Sequence, residues 1–216
     1  DREALAASLG AVVRRHELLR TVFVSEDGRP TQQIAPAADA PVELQLIDLR
    51  HLAADERDGE AQRLIAAEAR RPFRLDAGPL LRPALVQLAD DEYLFLLTLH
   101  HIVSDGWSSG VLIRELAALY AAFSRGEPSP LPELPIQYAD FAAWQRAWLE
   151  SDELARQLAY WKAQLADAPP LLELPTDRPR PAVRSTNGAR AFFELPEPLV
   201  RRLRDLSAHE GVTLFM

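Results

Sequence analysis

Two adjacent histidines open the segment HHIVSDG at residues 100–106. A histidine titrates close to neutral pH and is therefore suited to taking a proton from a reacting group. A backbone amide at the start of a helix is suited to stabilising a developing oxyanion, because the first amides of a helix have no partner within the helix. The candidate catalytic residues are therefore His101 and Gly106. His101 would act as a general base, as a hydrogen-bonding positioner, or as both, and Gly106 would act through its amide.

His100 is assigned a structural role beside this site. The preceding residues 93–99, YLFLLTL, are apolar on both faces, which predicts a central strand covered on both sides. Successive side chains of a strand point to opposite faces, so only one histidine of the pair can face a given cavity. Gly106 is expected to adopt backbone angles that a side chain would forbid.

Asp105 has two interpretations. It could orient His101 in the manner of a catalytic triad, or it could be a buried carboxylate paired with an arginine. We favour the pair, because a buried charge needs a partner, and we name Arg20 first and Arg15 second. His101 and Asp105 also have the i, i+4 spacing of two metal ligands, but no third ligand is evident, and no metal site is predicted.

The hydrophobic pattern predicts alternating strands and helices. The expected helices span residues 2–19, 55–71, 107–124, 138–150, 152–166 and 197–210, and the expected strands span 21–24, 31–34, 42–47, 80–88, 93–99 and 190–194. An Asp-Gly turn at 27–28 predicts a hairpin, and the proline-rich residues 169–181 predict a linker. The first helix is expected to begin without a cap, which suggests that an N-terminal segment is missing. His16 is assigned to the end of this helix, and Tyr138, Phe141 and Trp144 are assigned to packing.

Composition excludes several classes of protein. The 216 residues contain 24 basic and 32 acidic side chains, and this net charge of −8 disfavours a nucleic-acid binder. The absence of cysteine excludes disulfides, thiolate zinc sites and a cysteine nucleophile. No apolar run is long enough to cross a membrane. A cytoplasmic location is compatible with these features and is our expectation.

Three motifs together resemble a known family. They are HHIVSDG at 100–106, RHELLRTVF at 15–23 and YADFAAW at 138–144, and the segments at 72–76 and 174–179 are also similar. The chain resembles the condensation domains of nonribosomal peptide synthetases, in the superfamily of HHxxxDG acyltransferases that includes chloramphenicol acetyltransferase. The family's opening Ser-x-Ala-Gln segment and roughly the second half of its domain have no counterpart here. The resemblance therefore predicts a fragment.

The resemblance implies an α/β sandwich fold of two similar lobes arranged in a V. Residues 1–175 would form the N-terminal lobe, with an incomplete N-terminus, and residues 176–216 would form a linker and the start of the C-terminal lobe. Upstream and downstream peptidyl carrier domains would dock on opposite sides, with an adenylation domain adjacent. Their phosphopantetheine arms would meet at the histidine motif, and the domain itself would bind no cofactor. An amine on the downstream arm would attack the upstream thioester and form an amide. The 216-residue chain alone is expected to be inactive.

Other functions are compared with this one. Residues 102–107 resemble the condensation subtype that accepts an L-configured donor. Heterocyclisation domains carry an Asp-rich motif instead, which this chain lacks. An acyltransferase using a coenzyme A or carrier-bound donor is the nearest rival enzyme. A non-catalytic recruitment domain of the same fold is the rival from another class, but such domains typically lose the second histidine, and His101 is present.

Overall fold

The computed structural model describes residues 1–39, 41–183, 185 and 191–216. The chain divides into two compact units, residues 1–165 and residues 166–216. The first unit contains the helices α1 (Arg2–Arg15), α2 (Ala54–Arg70), α3 (Gly106–Phe123), α4 (Tyr138–Leu149) and α5 (Asp152–Gln164), and the strands β1 (Thr21–Glu26), β2 (Arg29–Ile34), β3 (Gln45–Asp48), β4 (Leu81–Gln87) and β5 (Tyr93–Leu99). The second unit contains α6 (Glu197–His209). The lobe boundary expected at 175/176 stays a prediction.

A three-stranded sheet in the order β3-β4-β5 has helices on both faces. Strand β3 runs parallel to β4, and β4 runs antiparallel to β5. Alternate side chains of β5 pack in opposite directions. Phe95, Leu97 and Leu99 contact the core formed by α1 and α3, while Leu94 and Leu96 contact the core that includes α2. The predicted α/β sandwich and the covering of β5 on both faces are confirmed. Its predicted central position is wrong, because β5 is an edge strand of the described sheet and β4 lies in the middle.

The core between α1 and α3 determines where the histidine motif lies. Buried side chains recur at helical spacing on both helices, and they are Leu9, Val12, Leu112, Leu116 and Leu119. Each helix buries one apolar stripe against the other, as expected for amphipathic helices of a globular domain. The N-terminus of α3 therefore lies at a position fixed by packing rather than by a loop.

Both ends of α1 differ from the expectation. Asp1 caps the helix, since its carboxylate accepts a hydrogen bond from the Ala4 amide at 2.9 Å, so the expectation of an uncapped start was wrong. The helix ends at Arg15 rather than near residue 19, because His16 has extended backbone angles and Glu17–Arg20 form a 3₁₀ turn. The Asp-Gly turn between β1 and β2 is confirmed, with positive φ at both residues (51° and 77°).

Three further expectations are tested by the burial pattern. Tyr138, Phe141 and Trp144 were expected to pack, but they are 50%, 39% and 59% exposed within the described residues.

Arg190 lies outside the described residues, and residues 191–194 do not form the expected strand. Phe192, Leu195 and Leu206 expose apolar surface. None of the helices described has both the length and the apolar character needed to cross a membrane.

Replacing Leu119 by alanine tests the packing of α3. Leu119 is 1% exposed, whereas Ile113 on the same helix is 65% exposed. Leu119→Ala should lower the free energy of unfolding by about 2–5 kcal/mol, because it leaves a cavity in the core. Ile113→Ala should change the same quantity by less than about 1 kcal/mol. Urea unfolding measures both values, and equal losses would contradict the assignment of the buried face.

Candidate functional site

The histidine motif connects the end of β5 to the start of α3. The His100 amide donates to the Leu80 carbonyl at 3.0 Å, and the Val103 amide donates to the His100 carbonyl at 3.0 Å. The first bond continues the contact between β4 and β5 by one residue, and the second closes a turn. The backbone of the motif is therefore held against the sheet.

The His100 side chain is fixed by neighbours on two sides. Its Nδ1 accepts a hydrogen bond from the Ile102 amide at 3.0 Å, so the proton of the neutral ring is on Nε2. The ring stands edge-on to Phe73, with centroids 5.6 Å apart, and the Arg82 guanidinium lies 3.7 Å over the Phe73 ring. These contacts support the structural role predicted for His100.

The His101 side chain is exposed and makes no hydrogen bond within the described part of the chain. The two histidines thus have different environments, as the sequence predicted. The reason differs from the one expected, because β5 ends at Leu99 and a turn, rather than strand alternation, separates the two side chains. The His101 side chain is accessible to solvent.

Asp105 caps helix α3 through a capping box with Ser108. Asp105 Oδ1 accepts hydrogen bonds from the Ser108 amide at 2.8 Å and from the Ser108 hydroxyl at 2.6 Å. The Ser108 hydroxyl in turn accepts a bond from the Asp105 amide at 2.7 Å. The Ser108 hydroxyl is the main cause that lowers the pKa of the Asp105 carboxyl, and the amides of Ser108 and Trp107 and the charge of His101 lower it further.

The predicted ion pair between Asp105 and an arginine is wrong. Arg20 donates to Glu17 at 3.3 Å and to the Ala35 carbonyl, and its Nε is buried without a partner among the described residues. Arg15 donates to Glu115 instead. Asp105 is exposed and its carboxylate is satisfied by a residue three positions away, so it does not need a distant cation.

Gly106 is the first residue of α3, and its amide has no hydrogen-bond partner within the described ranges. The expectation of unusual backbone angles was wrong, because its φ is not in the left-handed region. A Cβ added at this position would meet no heavy atom within 4 Å. Gly106 therefore contributes open space next to a free amide at the positive end of a helix.

A cavity of about 290 Å³ lies beside the motif. Most of its lining is apolar, and Trp107 on its wall is 85% exposed. The lining residues are His16, Leu18, Leu19, Val103, Ser104, Trp107, Ser108, Val111, Leu112, Leu134, Ile136, Gln137 and Tyr138. His101 and Gly106 do not line this cavity, but Ser104 and Trp107, which flank Asp105 and Gly106, do, and the cavity could accept an apolar group.

The part of the chain that the structure describes contains no group of three metal-ligating side chains. His101 and Asp105 thus have no third ligand there.

Sequence reasoning missed Ser108, Glu115 and the pairing of His16. The Asp-x-x-Ser spacing at 105–108 is a capping signal that could have revealed Ser108. Glu115 binds Arg15 and His16, which are 100 and 99 residues away in sequence, and no local pattern signals such contacts.

Comparison with known proteins identifies the family. Residues 1–216 match the family model described as the condensation domain. The chain belongs to the condensation domain family. A linear gramicidin synthase polypeptide from Brevibacillus parabrevis is 52% identical over 216 residues, which are 100% of this chain and 3% of that polypeptide.

Two solved structures show the fold of this family. The first condensation domain of the CDA synthetase has a TM-score of 0.73 and 27% identity, over 99% of this chain and 50% of that one. The X-domain solved in complex with OxyB from teicoplanin biosynthesis has a TM-score of 0.82 and 31% identity, over 99% of this chain and 46% of that one. The chain thus spans about half of each solved domain.

Asp105 variants test the cap directly. Asp105→Ala should destabilise the domain, because the Ser108 amide loses its acceptor, and Asp105→Asn should restore most of the loss. Since the lowered pKa stabilises the folded state, the advantage over Asp105→Ala should be complete at neutral pH and should fade as the pH is lowered below the ordinary carboxyl value of 3.8 and through the pKa of the folded state. Thermal unfolding across this range measures the effect.

A double-mutant cycle separates the cap from the ion pair. The losses caused by Asp105→Ala and Arg20→Ala should add in the double variant, because the two side chains have different partners. A double variant no less stable than either single variant would contradict the capping account.

Proposed function

We propose that this chain carries the reactive motif of an amide-forming condensation domain. The donor would be an upstream acyl or peptidyl thioester, and the acceptor a downstream aminoacyl thioester, each on a carrier domain of a peptide synthetase. The observation that supports this best is that His101 is exposed and the Gly106 amide begins α3, both without a partner among the described residues. Trp107, the residue after Gly106, lines the cavity. The L-donor subtype rests on the resemblance of residues 102–107.

The reaction places modest demands on these groups. An α-amino group has a pKa near 8, so a useful fraction is neutral at physiological pH, and a thioester is already activated. The nitrogen attacks the thioester carbon, the C–N bond forms and the C–S bond breaks. The upstream arm leaves as a thiol. His101 accepts or orients the proton that the nitrogen loses, and the Gly106 amide donates to the oxygen that becomes negative.

Asp105 has a supporting role in this proposal. Its carboxylate is used by Ser108, so it holds the start of α3 rather than the His101 ring. The box does not use the Gly106 amide, and no other group in the described part of the chain accepts from it, so this donor stays available.

The partners follow from the family. Upstream and downstream peptidyl carrier domains would supply the phosphopantetheine arms, and an adenylation domain would be adjacent. We propose that the domain binds no cofactor of its own, acts in the cytoplasm and contacts neither nucleic acid nor membrane. Because the solved domains are about twice as long as this chain, holding both arms would require the complete domain, and residues 1–216 alone would not catalyse.

His101→Ala in the complete domain should reduce amide formation by about 100-fold or more, because a general base typically contributes 10²–10⁴-fold. The fold should be intact, since His101 is exposed and unpartnered in the described structure. Single-turnover transfer between two loaded carriers, followed by mass spectrometry, measures the rate. His51→Ala, which replaces an exposed histidine outside the motif, is the matched control. Equal rates for His101→Ala and the control would refute the catalytic role.

Gly106→Ala separates function from folding. The added methyl group meets no atom of the described protein, and alanine favours a helix over glycine, so stability should be unchanged or increased. Amide formation should fall by about tenfold or more, because the methyl group occupies space beside the oxyanion donor. Gly59→Ala in α2 also has open space around its Cβ and should keep full activity. Full activity of Gly106→Ala would exclude this use of the amide.

Recruitment of another protein is the second candidate function. It is favoured by the likeness to an X-domain that was solved in complex with OxyB. On this alternative, a partner would bind the domain and His101→Ala would leave that function unchanged. Coenzyme A as the source of the donor is the remaining enzymatic alternative, and supplying acyl-coenzyme A in place of the loaded donor carrier tests it.

A further inference from the structure

A polar cluster joins the end of α1 to the middle of α3. Glu115 binds two consecutive residues, with Oε1 3.1 Å from Arg15 Nε and Oε2 2.6 Å from His16 Nε2. The side chains of Glu115 and Arg15 are 13% exposed, and that of His16 is 25% exposed. Each oxygen of the carboxylate therefore accepts one hydrogen bond in a largely buried position, where such bonds are stronger than at the surface.

The same cluster extends to the segment before α4. Arg15 also donates to the Pro132 carbonyl, and its own carbonyl accepts from Gln137 Nε2 at 2.9 Å. Gln137 Oε1 accepts from the Glu17 amide at 3.1 Å. His16 and Gln137 both line the cavity beside the motif. The cluster thus holds three elements that form the walls of this cavity.

Directional bonds at Glu115 complement the apolar core of α1 and α3. Contacts among leucine and valine side chains hold α3 against α1, and the bonds at Glu115 add a directional restraint on the rotation and height of α3. Glu115 lies nine residues after Gly106 on α3, about 13.5 Å along the helix axis. A rotation of α3 about its axis would move the Gly106 amide and the Trp107 side chain together.

We propose that Glu115 is a positioning residue of the condensation reaction. By binding Arg15 and His16 it fixes the rotation and height of α3, and through the helix it fixes the Gly106 amide and the cavity wall. This inference rests on the proposed amide-forming function. Glu115 does not contact the reactants and acts through the helix on which the motif ends.

The experiment uses the complete condensation domain with loaded carrier domains. Glu115→Ala should lower kcat for amide formation by about tenfold or more at a temperature where circular dichroism shows a folded domain, while KM for the acceptor carrier changes less than about twofold. Glu115→Gln keeps the size and one acceptor, so its kcat should lie between those of Glu115→Ala and the parent. Glu60→Ala, which breaks the surface pair of α2 with Arg63, is the matched control and should leave both constants unchanged.

The outcomes separate this inference from the proposed function. If Glu115→Ala lowers the melting temperature but leaves kcat unchanged, the residue is structural only and the inference is wrong. If Glu115→Ala does not fold, Glu115→Gln decides, and a folded Glu115→Gln with parental kcat overturns the inference. If the parent domain forms no amide from the two loaded carriers, the proposed function itself fails, and the inference fails with it.

Discussion

The capping box between Asp105 and Ser108 is the interaction on which the motif depends. Asp105 Oδ1 accepts two hydrogen bonds from Ser108, and the Ser108 hydroxyl accepts one from the Asp105 amide. The start of α3 is therefore held by contacts between residues three positions apart. Because the box satisfies the carboxylate, no arginine has to reach it. Because the box does not involve the Gly106 amide, that donor has no partner among the described residues. A single local arrangement thus stabilises the helix and leaves one amide at its positive end available for chemistry.

The rest of the first unit supports this arrangement from two directions. The sheet holds the backbone of the motif through the bond from His100 to Leu80, and Phe73 holds the His100 ring. The apolar core holds α3 against α1, and Glu115 adds directional bonds to the same contact. His101 lies between these supports and contributes to neither of them. The two histidines therefore differ because of packing: the His100 ring is held by its neighbours, whereas the His101 ring is exposed.

The sequence predicts local features well and long-range partners poorly. The helix expected at 107–124 is observed at Gly106–Phe123, and the Asp-Gly turn at 27–28 is observed, because spacing and turn chemistry are local properties. The predicted arginine partner of Asp105 was wrong, because the general rule that buried charges need a partner was applied to a residue that is exposed. The edge position of β5 and the contact of Glu115 with α1 depend on strand order and helix packing, which no local pattern encodes. The exposure of Tyr138, Phe141 and Trp144 was missed because an aromatic stripe has the same spacing whether or not it is buried.

The central claim is that the Gly106 amide is unpartnered in the free domain and becomes a donor to the reacting carbonyl. Amide hydrogen exchange, resolved by NMR on the complete domain labelled with ¹⁵N-glycine, tests it directly. The measurement compares the free domain with the domain bound to a donor carrier that bears a non-hydrolysable analogue of the thioester. The account predicts rapid exchange of the Gly106 amide in the free domain and clear protection in the complex, with the Gly59 amide unchanged. A Gly106 amide that is protected in the free domain, or that gains no protection in the complex, would contradict the account.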